Sequence, residues 1–216
     1  MPDPPPPAPT RDDEQLVTAA RRGDLDAFNV LVLRYERAVF NLCLRLLRDA
    51  ASAEDVTQDT FVRAWGGIAS FRGDAFRPWL FRIAANRAHD LLRVRARRPA
   101  ASLDAEPFER EPIWSTHSPA GEAPEAHALR RELAVHLERA LAALPDDQRL
   151  VVLLSDLQGF DYQEIAATTG AALGTVKSRL SRARARLRQI LQDDPEAGEL
   201  FDRYTRHDDD QDEGPP

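Results

Sequence analysis

The chain of 216 residues contains one cysteine, Cys43, and one lysine, Lys177. A single cysteine excludes disulfide bonds within the chain and any zinc cluster built from cysteines, and it is typical of proteins in the reducing cytosol. No apolar run approaches the roughly 20 residues that span a bilayer. The proline-rich start lacks the basic and apolar segments of a signal peptide. We therefore expect a cytoplasmic protein that does not insert into a membrane.

The sequence also has little that predicts catalysis. Its histidines are scattered, without the spacing of metal ligands, and no nucleophile motif such as G-x-S-x-G occurs. A small enzyme is therefore the least favoured class of function, and we expect no metal and no cofactor. The five histidines are His89, His117, His127, His136 and His207.

Charge is abundant but unevenly distributed. The formal net charge is −7, which taken alone argues against a nucleic-acid-binding protein. The segments 82–98 and 177–188 nevertheless carry six basic residues each, with Asp90 as the only acid in either, while residues 193–213 hold ten acids. DNA interacts with the charge of the surface that it contacts and not with the net charge of the whole protein. Both basic segments are therefore candidate DNA-binding helices.

Helical periodicity dominates the first half of the chain. Apolar residues recur every three or four positions from Leu25 to Leu46, which predicts one long amphipathic helix. Ser52 and Asp55 resemble a capping box that opens a second helix, and Gly66 is expected to stop it. A third helix is predicted over about 76–97.

The second half contains a helix-turn-helix pattern. An acidic capping box from Asp161 to Glu164 opens a short helix, Gly170 closes it, and the basic helix follows at once. In this motif the second helix enters the major groove of DNA. A solvated basic surface helix usually carries acids at i,i+4, and the segment 177–188 has none.

These patterns predict an all-α protein with two small helical domains joined by a flexible linker. The five segments are a disordered proline-rich lead (1–11), a first domain (12–98), the linker (99–124), a second domain (125–192) and an acidic tail (193–216). The tail is either a solvating disordered segment or an intramolecular phosphate mimic that competes with DNA for the basic helix.

Four motifs together resemble the extracytoplasmic-function (ECF) sigma factors of bacterial RNA polymerase. They are AEDVTQDTFVRAW at 53–65, FRGD at 71–74, WLFRIAAN at 79–86 and GTVKSR at 174–179. The resemblance implies that the first domain corresponds to sigma region 2 and the second to region 4. It departs from the family at Leu173, where many relatives have proline, so the start of the basic helix is less fixed by sequence.

The resemblance also implies partners and sites. Region 2 binds a coiled coil of the polymerase β′ subunit and opens the promoter -10 element, while region 4 reads the -35 element; β is the other core partner, and an anti-sigma factor commonly inhibits the protein. The implied core polymerase contacts are Asp55, Gln58, Asp59 and Phe61. The implied -10 contacts are Phe71, Arg77, Arg82, Asn86, Arg87 and Arg93. The implied -35 contacts are Thr175, Lys177, Ser178, Ser181 and Arg182.

One alternative remains open from the residues themselves. A stand-alone DNA-binding regulator needs only the helix-turn-helix, although it leaves the first domain without a role. Co-elution with core polymerase separates the two functions. Trp79 also has two interpretations, as a core residue or as a platform for an unstacked base.

Overall fold

A computed structural model describes residues 11–73, 75–97 and 124–200. The predicted lead and linker, apart from their last residues Arg11 and Pro124, lie outside these ranges, as do Asp74, Arg98 and the end of the tail. Within them every regular element is helical, as predicted, and no helix is long and apolar enough to cross a lipid bilayer. The elements are α1 (Arg11–Ala20), α2 (Leu25–Leu47), α3 (Ala50–Ile68), α4 (Phe76–Arg97), α5 (Pro124–Ala142), α6 (Asp146–Val152), α7 (Tyr162–Thr169) and α8 (Leu173–Gln192).

Helices α1 to α4 form a first helical unit around α2. Asp24 caps α2 by accepting a hydrogen bond from the Ala27 amide at 3.0 Å, and Arg48 ends the helix in the left-handed conformation with φ 58°. The periodic apolar face turns inward: Leu31 and Val39 are fully buried. Helix α2 therefore confirms the prediction made from its spacing.

Both predicted ends of α3 were wrong. The N-cap is Asp49, whose carboxylate accepts a hydrogen bond from the Ser52 amide at 3.0 Å, so Ser52 lies inside the helix. The helix also continues through Gly66 and Gly67. A Cβ on Gly67 would lie 3.3 Å from the Trp79 ring, so this glycine permits the close approach of α4 and does not end α3.

Helices α5 to α8 form a second helical unit. Five π-helical residues, Leu153–Leu157, extend α6 toward a turn. The predicted capping box is present, with the Asp161 carboxylate accepting from the Glu164 amide at 2.8 Å and Glu164 accepting from the Asp161 amide at 2.9 Å. Gly170 ends α7 with φ 69°, a conformation that glycine adopts without steric cost. Helix α8 follows after two residues.

The first residues of the acidic tail fold back. Residues 195–200 are helical, and Ala197 and Leu200 are buried. Asp194 accepts hydrogen bonds from the amides of Glu196 at 3.1 Å and Ala197 at 3.3 Å, and it lies 2.6 Å from the His136 ring on α5. This part of the tail is therefore held by packing, and Asp194 is bound by α5, not by α8.

The two units pack against each other. Helix α4 of the first unit lies along α7 of the second, and the end of α2 meets α6. Their buried apolar residues form one continuous cluster. This contact between the units was not part of the sequence-based expectation, which had only a linker joining them.

Candidate nucleic-acid and protein interfaces

Helix α8 presents an uninterrupted polar face. Val176, Leu180 and Ala183 are buried against the second unit, which turns the opposite side of the helix outward. The side chains exposed on that side are Lys177, Ser178, Ser181 and Arg182, and Thr175 is half-buried at the helix start. The structure thus brings the whole predicted -35 set together on the outward side of α8.

The cations of α8 are of two kinds. Arg179 pairs with Asp147 at 3.0 Å, and Arg184 pairs with Asp156, so both are held by acids of neighbouring elements. Lys177 lies 5.9 Å above the Tyr162 ring, and Arg182 donates to the Ser178 carbonyl at 3.2 Å. Within the described part of the chain, these last two cations form no carboxylate ion pair.

Helix α4 exposes only part of its basic face. Arg82, Asn86 and Arg93 are exposed, and Arg93 pairs with Asp90 of its own helix. Arg87 is half-buried and pairs with Asp59 of α3. A cationic strip with one amide is suited to the phosphates and base edges of a single strand.

Two members of the predicted -10 set are buried in this conformation. Phe71 is 8% exposed and packs on Trp79 at a ring-centroid distance of 4.8 Å. Arg77 is 4% exposed and points into the second unit, where it donates to the Gln158 carbonyl and lies 4.1 Å from the centroid of Phe160. Neither side chain is available to DNA in this conformation: Phe71 is covered by aromatic rings of its own unit and Arg77 by the second unit.

Helix α3 carries the predicted polymerase contacts. Asp55 and Gln58 are exposed. Asp59 is half-buried; burial acts against ionisation, but hydrogen bonds from Arg63, at 3.0 Å, and Arg87 prevail and lower the pKa of its carboxyl. The prediction for Phe61 conflicts with the structure, because its ring lies in the core at 8% exposure.

Comparisons with known proteins agree with this arrangement. Residues 31–98 match the family model of sigma-70 region 2, and residues 135–187 match that of sigma-70 region 4. The RNA polymerase sigma-H factor of Pseudomonas aeruginosa is 39% identical over 185 residues, covering 83% of this chain and 94% of that protein. The ECF RNA polymerase sigma-E factor of Escherichia coli K12 is 40% identical over 177 residues, covering 80% and 90%. The chain belongs to the ECF sigma factor family.

Solved sigma factors share the fold. The chain is similar to CnrH, solved in complex with the cytosolic domain of CnrY, with 30% identity, a TM-score of 0.63 and coverage of 85% of this chain and 99% of that one. It is also similar to RpoE, solved with the anti-sigma factor NepR from Bartonella quintana, with 32% identity, a TM-score of 0.59 and coverage of 76% and 96%. This sigma factor thus has both promoter-directed regions of its relatives, one in each helical unit.

The residues predicted from the sequence for the α3 surface of this sigma factor did not include one that the structure exposes there. Val62 is 70% exposed, an unusual position for a valine on a helix whose other apolar residues are mostly buried. It follows Asp55 and Gln58 at the i+7 and i+4 spacing that places residues on one helix face. That spacing was a usable signal in the sequence, whereas Phe61, about 100° away around the helix, turns into the core.

Among the residues that the structure describes, one group of potential metal ligands comes together. Ligand atoms of His136, Asp194 and Glu196 lie within 4.8 Å of one another. They do not converge on a point, because the His136 ring meets Asp194 through Nδ1 at 2.6 Å and Glu196 through Nε2 at 3.9 Å, on opposite edges. The geometry fits a histidine held between two carboxylates better than a metal centre.

Proposed function

We propose that this ECF sigma factor directs core RNA polymerase to promoters through a division of labour between its units. For the second unit, this proposal rests on the exposed polar face of α8. Lys177 and Arg182 supply donors for base edges and phosphates in the -35 major groove, and Ser178 and Ser181 fit the same surface because short hydroxyls let the helix approach closely.

The first unit then acts on the -10 element. Arg82, Asn86 and Arg93 are exposed along α4, where a single strand can follow the helix and a base can leave the stack. Arg77 joins this set only after the two units separate, whereas Phe71 is held within the first unit by Phe76 and Trp79. The chain itself performs no covalent chemistry and works in the cytoplasm with the polymerase.

Helix α3 is the proposed contact with the β′ subunit of core polymerase. Asp55 and Gln58 are exposed on it, and Val62 adds an apolar contact on the same face. A surface of this kind has an exposed acid and amide beside an apolar side chain. Its polar groups fix the register of a protein complex and raise the rate at which the partners associate. The β subunit is the other expected partner of the core.

An inhibitory protein partner is also part of the proposal. Two of the structures similar to this chain, CnrH and RpoE, were solved with CnrY and with the anti-sigma factor NepR. We propose that an anti-sigma factor binds this chain as well. It would compete with polymerase or DNA for the surfaces on α3, α4 and α8.

The test combines holoenzyme formation with promoter selection. Purified core polymerase and the full chain are assayed by co-elution, and by run-off transcription from a random promoter library. Asp55→Asn is expected to reduce co-elution, whereas Lys177→Ala is expected to leave co-elution intact and to weaken enrichment of -35 sequences. Arg22→Ala, an exposed arginine outside all proposed surfaces, is the matched control.

Failure of the wild-type chain to co-elute with core polymerase would contradict the proposal. So would the loss of both readouts with every variant, because separate surfaces predict separable effects. Circular dichroism of each variant establishes that it is folded before either assay is interpreted.

A further inference from the structure

Tyr162 begins α7 beside the exposed face of α8. The preceding residue, Asp161, is the N-cap of α7, and its carboxylate accepts hydrogen bonds from the amides of Gln163 at 2.7 Å and Glu164 at 2.8 Å. These bonds fix the first turn of the helix, and with it the backbone of Tyr162. Tyr162 is nevertheless 41% exposed, so its ring is held at the surface and is not part of the core.

Two cations of α8 flank the Tyr162 side chain. The Nζ atom of Lys177 lies 5.9 Å from the centroid of the ring. Hydrogen bonding to Asp156 raises the pKa of the Arg184 guanidinium, burial opposes this rise, and the Tyr162 side chain adds to it, which places the phenol beside Arg184. At about 1.5 Å per residue, the two cations lie roughly 10 Å apart along the helix. The Tyr162 side chain therefore extends between them, with its hydroxyl toward Arg184 and its ring toward Lys177.

Arg184 is itself held by the element on its other side. Its guanidinium pairs with Asp156 and donates to Ser155 Oγ at 3.1 Å. Both acceptors lie in Leu153–Leu157, the π-helical residues that extend α6. A π-helical turn often occurs at a functional position, and this one brings the two acceptors to α8. One end of the Tyr162 side chain is thus held by a fixed cation, while the face of its ring is left for Lys177.

Lys177 is a side chain for which such a restraint matters. A lysine ammonium lies at the end of a flexible stem, and ordering that stem on a base costs conformational entropy. The face of an aromatic ring attracts an ammonium group within about 6 Å of its centroid. An ammonium that a ring already holds loses less freedom when it binds. Exposed Arg182 is restrained in another way, because it donates to the Ser178 carbonyl of its own helix at 3.2 Å.

We propose that Tyr162 is a positioning residue for Lys177, and that its ring, held by Arg184, sets the direction in which the ammonium enters the major groove. The contact is a property of the free chain. Its consequence for base selection rests on the proposed function of α8. Tyr162 then acts on DNA through Lys177 and not by contacting DNA itself, so the two side chains work as one unit.

Four variants separate the ring from the hydroxyl and from the position in the chain. Tyr162→Leu removes the ring, whereas Tyr162→Phe keeps the ring and removes only the hydroxyl. Gln163→Leu introduces the same residue at the next exposed position of α7 and is the matched control. Lys177→Ala removes the group that the ring positions, and it is made alone and together with Tyr162→Leu. Circular dichroism of each variant establishes that it is folded.

The contact is measured without DNA, because Lys177 is the only lysine of the chain. In full-length protein made with isotopically labelled lysine, its ε-methylene group gives a single cross-peak in a proton–carbon correlation spectrum. Protons above an aromatic ring are shifted upfield. Tyr162→Leu is therefore expected to move the peak downfield, while Tyr162→Phe and Gln163→Leu are expected to leave it near its wild-type position. A peak that Tyr162→Leu does not move would overturn the contact and the proposal with it.

Base selection is measured on the holoenzyme, by run-off transcription from the random promoter library. Lys177→Ala identifies the positions of the -35 element at which enrichment depends on this side chain. Tyr162→Leu is expected to lower enrichment at the same positions by about two- to fivefold, the factor that corresponds to an exposed cation–π contact. The double variant Tyr162→Leu/Lys177→Ala is expected to match Lys177→Ala, because no ammonium is left to position. Tyr162→Phe and Gln163→Leu should keep the wild-type enrichment.

Each contrary outcome points to a different error. Losses that add in the double variant would overturn the inference, because Tyr162 would then contact DNA on its own. Equal behaviour of Tyr162→Phe and Tyr162→Leu would also overturn it, since the ring would not be the cause. If Lys177→Ala changes enrichment at no position, the proposed -35 function of Lys177 fails together with the effect on base selection. The lysine spectrum still decides, in that case, whether the ring holds Lys177.

Discussion

The two promoter-directed helices carry similar positive charge but are held in different ways. On α8, neighbouring acids bind Arg179 and Arg184, whereas Lys177 and Arg182 of the same helix remain exposed without a carboxylate ion pair among the described residues. On α4, Arg87 is paired across to Asp59, and Arg77 is buried beneath the second unit. The acids beside α8 orient an exposed surface on that helix, whereas the contacts of α4 cover part of its surface.

This difference follows the physical demands of the two proposed targets. Duplex DNA presents a fixed groove, so a rigid helix with a preformed face binds it without rearrangement. A single strand must first be separated from its complement, and a surface that is partly covered until the units part would limit premature binding. If the helices differ in this way, substitutions at the junction of the units, on α8 and on α4 should have separable effects of decreasing size.

Arg149→Met tests the junction of the units. Arg149 is buried and donates to three carbonyls at the end of α5 and to the Leu46 carbonyl of α2. Removing these donors is expected to lower the free energy of unfolding by about 3 kcal/mol, because buried acceptors lose their partners. Urea denaturation measures the change, with exposed Arg188→Met as control; equal stabilities of the two variants would show that Arg149 holds nothing together.

Alanine at Lys177 and at Arg182 tests the open face of α8. Each substitution is expected to weaken binding to -35 duplex by about 1–3 kcal/mol if the side chain contacts bases. Affinity for a single-stranded oligonucleotide should stay at the wild-type value, and Asn86→Ala should show the reverse pattern. Fluorescence anisotropy with both probes measures this, and a parallel loss on both by every variant would erase the distinction between the helices.

Asp59→Asn tests the restraint on α4. The Asp59 and Arg87 side chains are about one-third exposed, so solvent screens their ion pair and its contribution is about 0.3–1 kcal/mol. Freeing Arg87 is expected to raise affinity for single-stranded DNA by that amount. The control, Asp26→Asn, makes the same change in net charge on an exposed site of α2; an equal rise in both variants would indicate general electrostatics only.

The smallest expected effect is a dependence on pH through His89. This side chain lies at the seam between the units, where desolvation lowers the pKa of its imidazole; Arg93 acts in the same direction, while Asp146, Asp147 and Asp90 oppose it. A histidine with a depressed folded pKa binds fewer protons than in the unfolded chain, so stability rises with pH and levels off above its ordinary value of about 6.5. Acidification below that value should favour opening, measured by X-ray scattering, and His89→Gln should flatten the profile.

Much of the local structure followed from the sequence. The apolar spacing of α2, the capping box of α7 and the left-handed Gly170 were all predicted, because each depends on residues within a few positions of one another. The predicted end of α3 was wrong for the complementary reason. The Gly66-Gly67 pair looked like a stop, yet the helix tolerates Gly67 where a distant ring, that of Trp79, needs the space. The other end was a local error, because Asp49 and not Ser52 is the cap.

The candidate sites show the same difference between features set by local spacing and features set by distant contacts. The polar face of α8 was predictable, since helical periodicity alone separates Lys177 and Arg182 from buried Val176 and Leu180. The burial of Arg77 was not, because its partners Gln158 and Phe160 lie some eighty positions away. Nor was the grouping of His136 with Asp194 foreseeable from scattered histidines.

Amphipathic spacing, caps and contiguous motifs are local properties of the chain, so the helical class, the two units and the family followed from the residues alone. Which basic side chains face solvent, and which are buried between the units, depended on how the helices pack. That outcome depends on long-range packing and on the desolvation of Arg77, and no local pattern encodes either.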